Sequence, residues 1–151
     1  MNAPGDIEQF IPHRGMMRLV DRVLACGEED IVTEVRVPAD ALFGDASGVP
    51  AWMGVEYMAQ TVAAWAGHRA RARGEEPSIG FLLGTRRYQA HTPRFDAGAL
   101  LRVEAHCELM GDNGLGMFAC RIVLGEAVLA TANISVFEPP DAAAYLESGE
   151  A

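Results

Sequence analysis

The chain has 151 residues, half of them apolar and 22% charged, which suits one domain with a real core and excludes a disordered chain. Twelve basic residues against 21 acidic ones leave a net charge of −9, and every basic residue is an arginine. That charge disfavours nucleic acid and anionic membranes as partners, and the absence of lysine excludes Schiff-base chemistry.

Taken in chain order, Met1 to Asp6 shows neither the basic nor the apolar region of a signal peptide. The next segment, Phe10-Ile11-Pro12-His13-Arg14-Gly15-Met16-Met17, is read as a loop. Its His13 titrates near neutral pH and has the chemistry of a base, the ordinary alternative being a solvated loop histidine. Strands are predicted over 18–24 and 31–37, on either side of the Gly27-Glu28-Glu29-Asp30 turn. A long helix is predicted over 52–73, with Pro50 near its start, arginines in its last turns and Gly74 closing it. Val55, Met58, Val62 and Trp65 form a bulky apolar stripe, while Glu56, Ala59, Gln60, Ala63 and Gly67 share a smaller face. Apolar residues nearly all round predict a helix buried on most sides. Its apolar run is broken by Glu56 and Gln60 and falls short of the roughly 20 residues that span a bilayer.

Further strands are predicted over 79–89, 101–109, 117–124 and 128–137, the last three joined by the Gly111–Gly114 and Gly125-Glu126 turns. Leu101, Val103, Ala105 and Cys107 alternate with Arg102, Glu104, His106 and Glu108, which is the period of a half-buried strand. Two strands, one helix and an antiparallel meander define an α+β fold, a sheet wrapped around a single buried helix. The domain is expected over 6–138, followed by a mobile acidic tail over 139–151 with a short helix near 142–146.

Glu56 is the most informative residue. A carboxylate in an apolar helix is costly to bury charged, so it reaches solvent, finds a donor, or serves proton transfer. The plainer alternative is a helix-start carboxylate favoured by the macrodipole. Gln60 lies one turn further on the same face, where it orients Glu56, contacts a ligand or bonds across a dimer interface. His68, His91 and His106 have no metal-ligand spacing, so no metal is expected. The three cysteines, Cys26, Cys107 and Cys120, suit neither a disulfide framework nor a zinc site, and a reduced cytoplasmic location is expected. The four serines lie in no nucleophile elbow and no glycine-rich phosphate loop follows a strand, so no cofactor is expected.

Three stretches together resemble a family. Ile11-Pro12-His13-Arg14 running to Leu19-Val20-Asp21-Arg22-Val23 resembles the opening of 3-hydroxyacyl-[acyl-carrier-protein] dehydratases. Val55-Glu56-Tyr57-Met58-Ala59-Gln60 resembles the helix that carries their catalytic glutamate. Phe81-Leu82-Leu83-Gly84-Thr85-Arg86-Arg87-Tyr88 is similar to the strand after the helix in dehydratase-like subunits of aryl-polyene clusters. The resemblance implies a hot-dog fold, a curved antiparallel sheet around one long helix, in dimers that join two sheets. It implies an acid at Glu56, oxyanion donors among the N–H groups from Ala51 through Met53 to Gly54, and further substrate contacts at Gln60 and Arg14. The family's base is a histidine just before the helix, where this chain reads Leu42-Phe43-Gly44-Asp45.

Four readings follow from that departure. His13 replaces the base in an unusual dehydratase, or the chain supplies part of a composite site in a mixed hot-dog dimer. Alternatively Glu56 activates water in a thioesterase, or the chain is a non-catalytic acyl-binding subunit. The substrate is expected as a thioester of acyl carrier protein or CoA. Arg69 and Arg73 at the helix end, with Arg86 and Arg87 on the next strand, are the candidates for gripping a carrier or its phosphate, against the alternative of ordinary solvated surface.

Overall fold

A computed structural model describes residues 5–41, 43–75 and 81–137. The expected tail over 139–151 and its short helix lie outside the described residues. The elements are β1 (Gly5–Asp6), β2 (Arg22–Cys26), β3 (Asp30–Arg36), β4 (Gly48–Pro50), α1 (Gly54–Ala72), β5 (Phe81–Ala90), β6 (Arg94–Asp96), β7 (Leu100–Met110), β8 (Leu115–Leu124) and β9 (Ala127–Phe137). Seven of these strands form one antiparallel sheet in the order β1-β2-β3-β7-β8-β9-β5, and β4 pairs separately with β6.

Alternation decides which face of the sheet meets the helix. Ile31, Thr33 and Val35 of β3, Leu101, Val103 and Ala105 of β7, Phe118, Cys120 and Ile122 of β8, and Ala130, Ala132 and Ile134 of β9 are buried. They lie on the face that receives α1, which touches β2, β3, β5, β7, β8 and β9. Met58, Val62 and Trp65 of the predicted stripe are buried, and the Trp65 ring meets Phe118 edge-on with centroids 5.2 Å apart. Polar atoms inside this core are paired: the Thr33 and Thr61 hydroxyls bond at 2.8 Å, and Thr61 also donates to the Tyr57 carbonyl at 2.8 Å. On the small face, Gly67 lets the N-terminal loop lie directly on the helix, because a Cβ there would collide with the Phe10 carbonyl.

Four details differ from the sequence expectation. The first long strand starts at Arg22 rather than 18, because Gln60 captures the backbone of 17–20 in an irregular loop. The helix proper begins at Gly54, after a 3-10 turn over Ala51–Met53. The β4–β6 pair was not predicted, since three-residue strands show no period. Finally, β5 lies at the far edge beside β9 and carries a bulge. Arg86 pairs with Asn133 and Gln89 with Thr131, so Arg87 and Tyr88 together oppose Ala132. Arg87 takes a left-handed φ of 55° at this point.

Candidate active site

The start of α1 collects the residues with chemistry. Pro50 closes β4, and the Ala51 N–H donates to the Pro93 carbonyl at 3.1 Å, tying the lead-in turn to the chain before β6. The Gly54 N–H donates back to the Ala51 and Trp52 carbonyls. At this turn the N–H groups of Ala51 and Gly54 are engaged, and the 3-10 geometry also turns the Met53 N–H back to the Pro50 carbonyl, which leaves the Trp52 N–H without a partner among the described residues. Of the N–H groups expected as donors between Ala51 and Gly54, Trp52 is therefore the one left open, and the helix dipole adds partial positive charge there.

Glu56 lies in the first turn, exposed to solvent. Its carboxylate makes no hydrogen bond or ion pair among the described residues. His13 lies on the strapped N-terminal loop, within reach of the Glu56 charge. Burial lowers the imidazole below its ordinary 6.5, with the Glu56 charge opposing the shift and Arg14 reinforcing it. The Nδ1 of His13 is buried and has no hydrogen-bond partner among the described residues. Within this one chain the Glu56 charge acts on the His13 imidazole, without a hydrogen bond or ion pair between them.

Gln60 and Arg14 hold the loop that carries His13, a correction to their expected contact with substrate. The Gln60 side chain is 2% exposed; its carbonyl accepts from the Leu19 N–H at 2.9 Å and the Val20 N–H at 3.3 Å, while its amide donates to the Met17 carbonyl at 2.7 Å. With both ends occupied, it has nothing to offer Glu56 or a ligand. Arg14 turns back on its own loop, donating to the carbonyls of Ile11, His13 and Glu8 at 2.7, 2.8 and 2.9 Å.

The four arginines expected at a carrier also separate. Arg69 donates to the Glu28 carbonyl at 3.4 Å and stacks over Trp65, and Arg73 pairs with Glu75 at 3.2 Å. Both lie at the far end of α1, about 20 Å or more from Glu56 at helical rise. Arg86 and Arg87 are exposed on β5 and have no partner among the described residues.

Apolar surface surrounds the site. Met16, Met17, Phe43 and Trp52 are all more than half exposed. Phe43, in a left-handed φ of 65°, packs its ring 5.6 Å from Trp52. A cavity of about 250 Å³ is lined by Met16, Leu19, Ala41, Met53 and Tyr57 together with the charged Arg18, Asp21, Arg36 and Asp40, and includes neither His13 nor Glu56. A larger groove of about 750 Å³ lies on the outer face of the sheet, around Asp30, Glu104, His106 and Arg121, and touches neither His13 nor Glu56. The buried thiols of Cys26 and Cys120 are pushed up by desolvation to about 11 and about 12, so they are poor nucleophiles. Among the described residues no cluster of three His, Cys, Asp or Glu side chains offers a metal site, and no helix is long and apolar enough to cross a membrane.

A seven-stranded antiparallel sheet wrapped around one buried helix, with a carboxylate in the helix's first turn, defines a hot-dog protein. The chain belongs to the ApeP-like family, described as ApeP dehydratase, whose pattern matches residues 5–147. Among solved structures it is similar to the dehydratase heterocomplex ApeI:P from Xenorhabdus doucetiae, at 25% identity and a TM-score of 0.85, over 97% of this chain and 98% of that one. It is also similar to zebra fish thioesterase superfamily member 2, at 11% identity and a TM-score of 0.65, over 88% and 92% of the two chains. A hypothetical thioesterase with coenzyme A from Streptococcus pneumoniae matches at 9% identity and a TM-score of 0.60, over 77% and 83%. The two thioesterase likenesses speak for the fold alone. No curated protein sequence matches the chain.

Proposed function

We propose that this chain removes water from β-hydroxyacyl thioesters carried on acyl carrier protein or CoA, acting as one half of a hot-dog dimer. His13 takes the α-proton, and the electron pair moves toward the thioester oxygen, which the Trp52 N–H receives. The enolate then re-forms the thioester and expels the β-hydroxyl, which leaves as water with the proton that His13 took, passed on through the Glu56 carboxylate. His13 ends neutral and Glu56 ionised, as they began, so the cycle closes. The observation that carries this reading is the unpartnered Glu56 carboxylate in the first turn of α1, close enough for its charge to act on His13, beside the open Trp52 N–H.

The same surroundings support a partner subunit. The exposed collar of Met16, Met17, Phe43 and Trp52 is large for a free surface beside a polar site, and covering it would exclude water from the chemistry. The similarity to a heterocomplex favours a second hot-dog chain as the cover. Arg86 and Arg87 are the arginines left for the phosphate of a carrier arm.

The test is conversion of a β-hydroxyacyl carrier-protein thioester to the enoyl product, followed by mass spectrometry, with the chain alone and with its hot-dog partner. Glu56→Gln should reduce the rate by about 10²-fold or more while the circular dichroism spectrum stays unchanged. Release of free thiol without enoyl product would replace this reading with a thioesterase. Binding of the acyl carrier with neither reaction would make the chain an acyl-binding subunit.

A further inference from the structure

Tyr88 is the one polar side chain that β5 sends to the helix start. Strict alternation from Thr85, which faces inward opposite Ile134, would turn Tyr88 outward. The bulge at Arg87 absorbs one residue and reverses that direction. The cost is a non-glycine residue held in the left-handed region, a kind of strain that persists where surrounding structure over-determines it. The result is a half-buried phenol whose hydroxyl donates to the Ala51 carbonyl. The contact is tight on both sides, because a Cβ at Gly54 would run into that hydroxyl and into Ile122. Burial raises the phenol to about 12, so it remains a donor throughout the neutral range.

The Ala51 carbonyl shares a rigid peptide plane with the Trp52 N–H. In a trans peptide these two groups point in opposite directions, and among the described residues there is no cis bond. Fixing the carbonyl therefore fixes the N–H, which points away from Tyr88 and off the start of the helix. A hydrogen bond accepted at the carbonyl also polarises the amide and strengthens its N–H as a donor. The adjoining Ala51 N–H is held independently by Pro93, so the turn is braced on both sides of the Ala51 α-carbon.

We infer that Tyr88 is a positioning residue that aims and strengthens the Trp52 N–H as the donor to the thioester oxygen, and that the Arg87 bulge exists to deliver it. This rests on the proposed dehydration, in which that oxygen gains charge only as the α-proton leaves. A well-aimed donor should then matter more to the transition state than to bound substrate.

The experiment is Tyr88→Phe, which keeps the ring and removes only the hydroxyl. Two measurements are made: steady-state kinetics on the β-hydroxyacyl carrier-protein thioester with the partner present, and the amide proton shift of Trp52 in a nitrogen-labelled chain. The expected result is a kcat lower by about tenfold to a hundredfold, with KM within about twofold, and an upfield move of the Trp52 amide proton. An unchanged kcat, an effect confined to KM, or an unmoved Trp52 amide would overturn the inference. If the wild-type chain shows no dehydration, the proposed function fails, and the amide shift then decides the positioning role by itself.

Discussion

At the scale of single residues, His13 has two opposing influences whose order is settled by burial. Desolvation lowers its proton affinity more than the Glu56 carboxylate raises it, so the folded chain holds a neutral imidazole where an unfolded one would begin to charge near 6.5. A neutral imidazole is the form a base requires. The acid limb of kcat/KM is therefore expected below pH 6.5, the ordinary histidine value, and a limb at or above it would remove His13 from that role. Stability follows the same sign. As pH falls, the unfolded chain takes up this proton first, so the site's contribution is complete above its unfolded value and is lost as pH drops toward the folded one. Urea titrations at decreasing pH should show that extra loss in the wild type and not in His13→Gln. As the proposed pair, His13 and Glu56 were legible from residue type and motif order. The roles of Gln60 and Arg14 were not, because a polar residue beside a catalytic one looks the same in sequence whether it binds substrate or holds a loop.

At the scale of elements, α1 and the five long strands after the first strand pair's turn follow directly from their periods. Glycines at turns and a nearly all-round apolar helix leave little choice of topology. What escaped was every feature that breaks a period. The three-residue β4 and β6 offer no alternation to read, and the bulge in β5 inverts the facing of everything beyond it, which hid Tyr88 inside a run that reads as outward. Gly67 illustrates how an element is held rather than merely formed. In an exposed helix, Gly→Ala would gain about 1 kcal/mol of helix propensity. Here the new methyl meets the Phe10 backbone, which cannot swing aside like the end of a side chain. Gly67→Ala is therefore expected to destabilise the chain by about 1–3 kcal/mol, with a lower urea midpoint. A raised midpoint would show that the N-terminal loop is free to lift from the helix.

At the scale of the whole molecule, a net charge of −9 repels an acidic carrier at long range, so any attraction has to be local. Ten of the twelve arginines are already engaged with carboxylates, carbonyls or the Trp65 ring. Arg86 and Arg87 remain, side by side on the edge strand that also carries Tyr88. The double substitution Arg86→Ala with Arg87→Ala should raise KM for a carrier-linked substrate by roughly tenfold and flatten its dependence on salt. KM for a thioester lacking any phosphate should stay the same. Equal effects on both substrates would mean that the pair acts through β5 itself. Sequence alone could list all twelve arginines but could not say which were spent, because pairing depends on contacts between distant segments such as Arg69 with the Glu28 carbonyl.

The two tryptophans divide the molecule in a way that is useful at the bench. Trp65 is sealed against Phe118 in the core, whereas Trp52 is 55% exposed, beside Phe43 and one helical turn before Glu56. Their emission therefore carries two separate signals, one for integrity of the fold and one for arrival at the site. Replacing Trp52 with phenylalanine leaves a chain whose fluorescence reports folding alone, and the difference spectrum becomes a label-free record of occupancy.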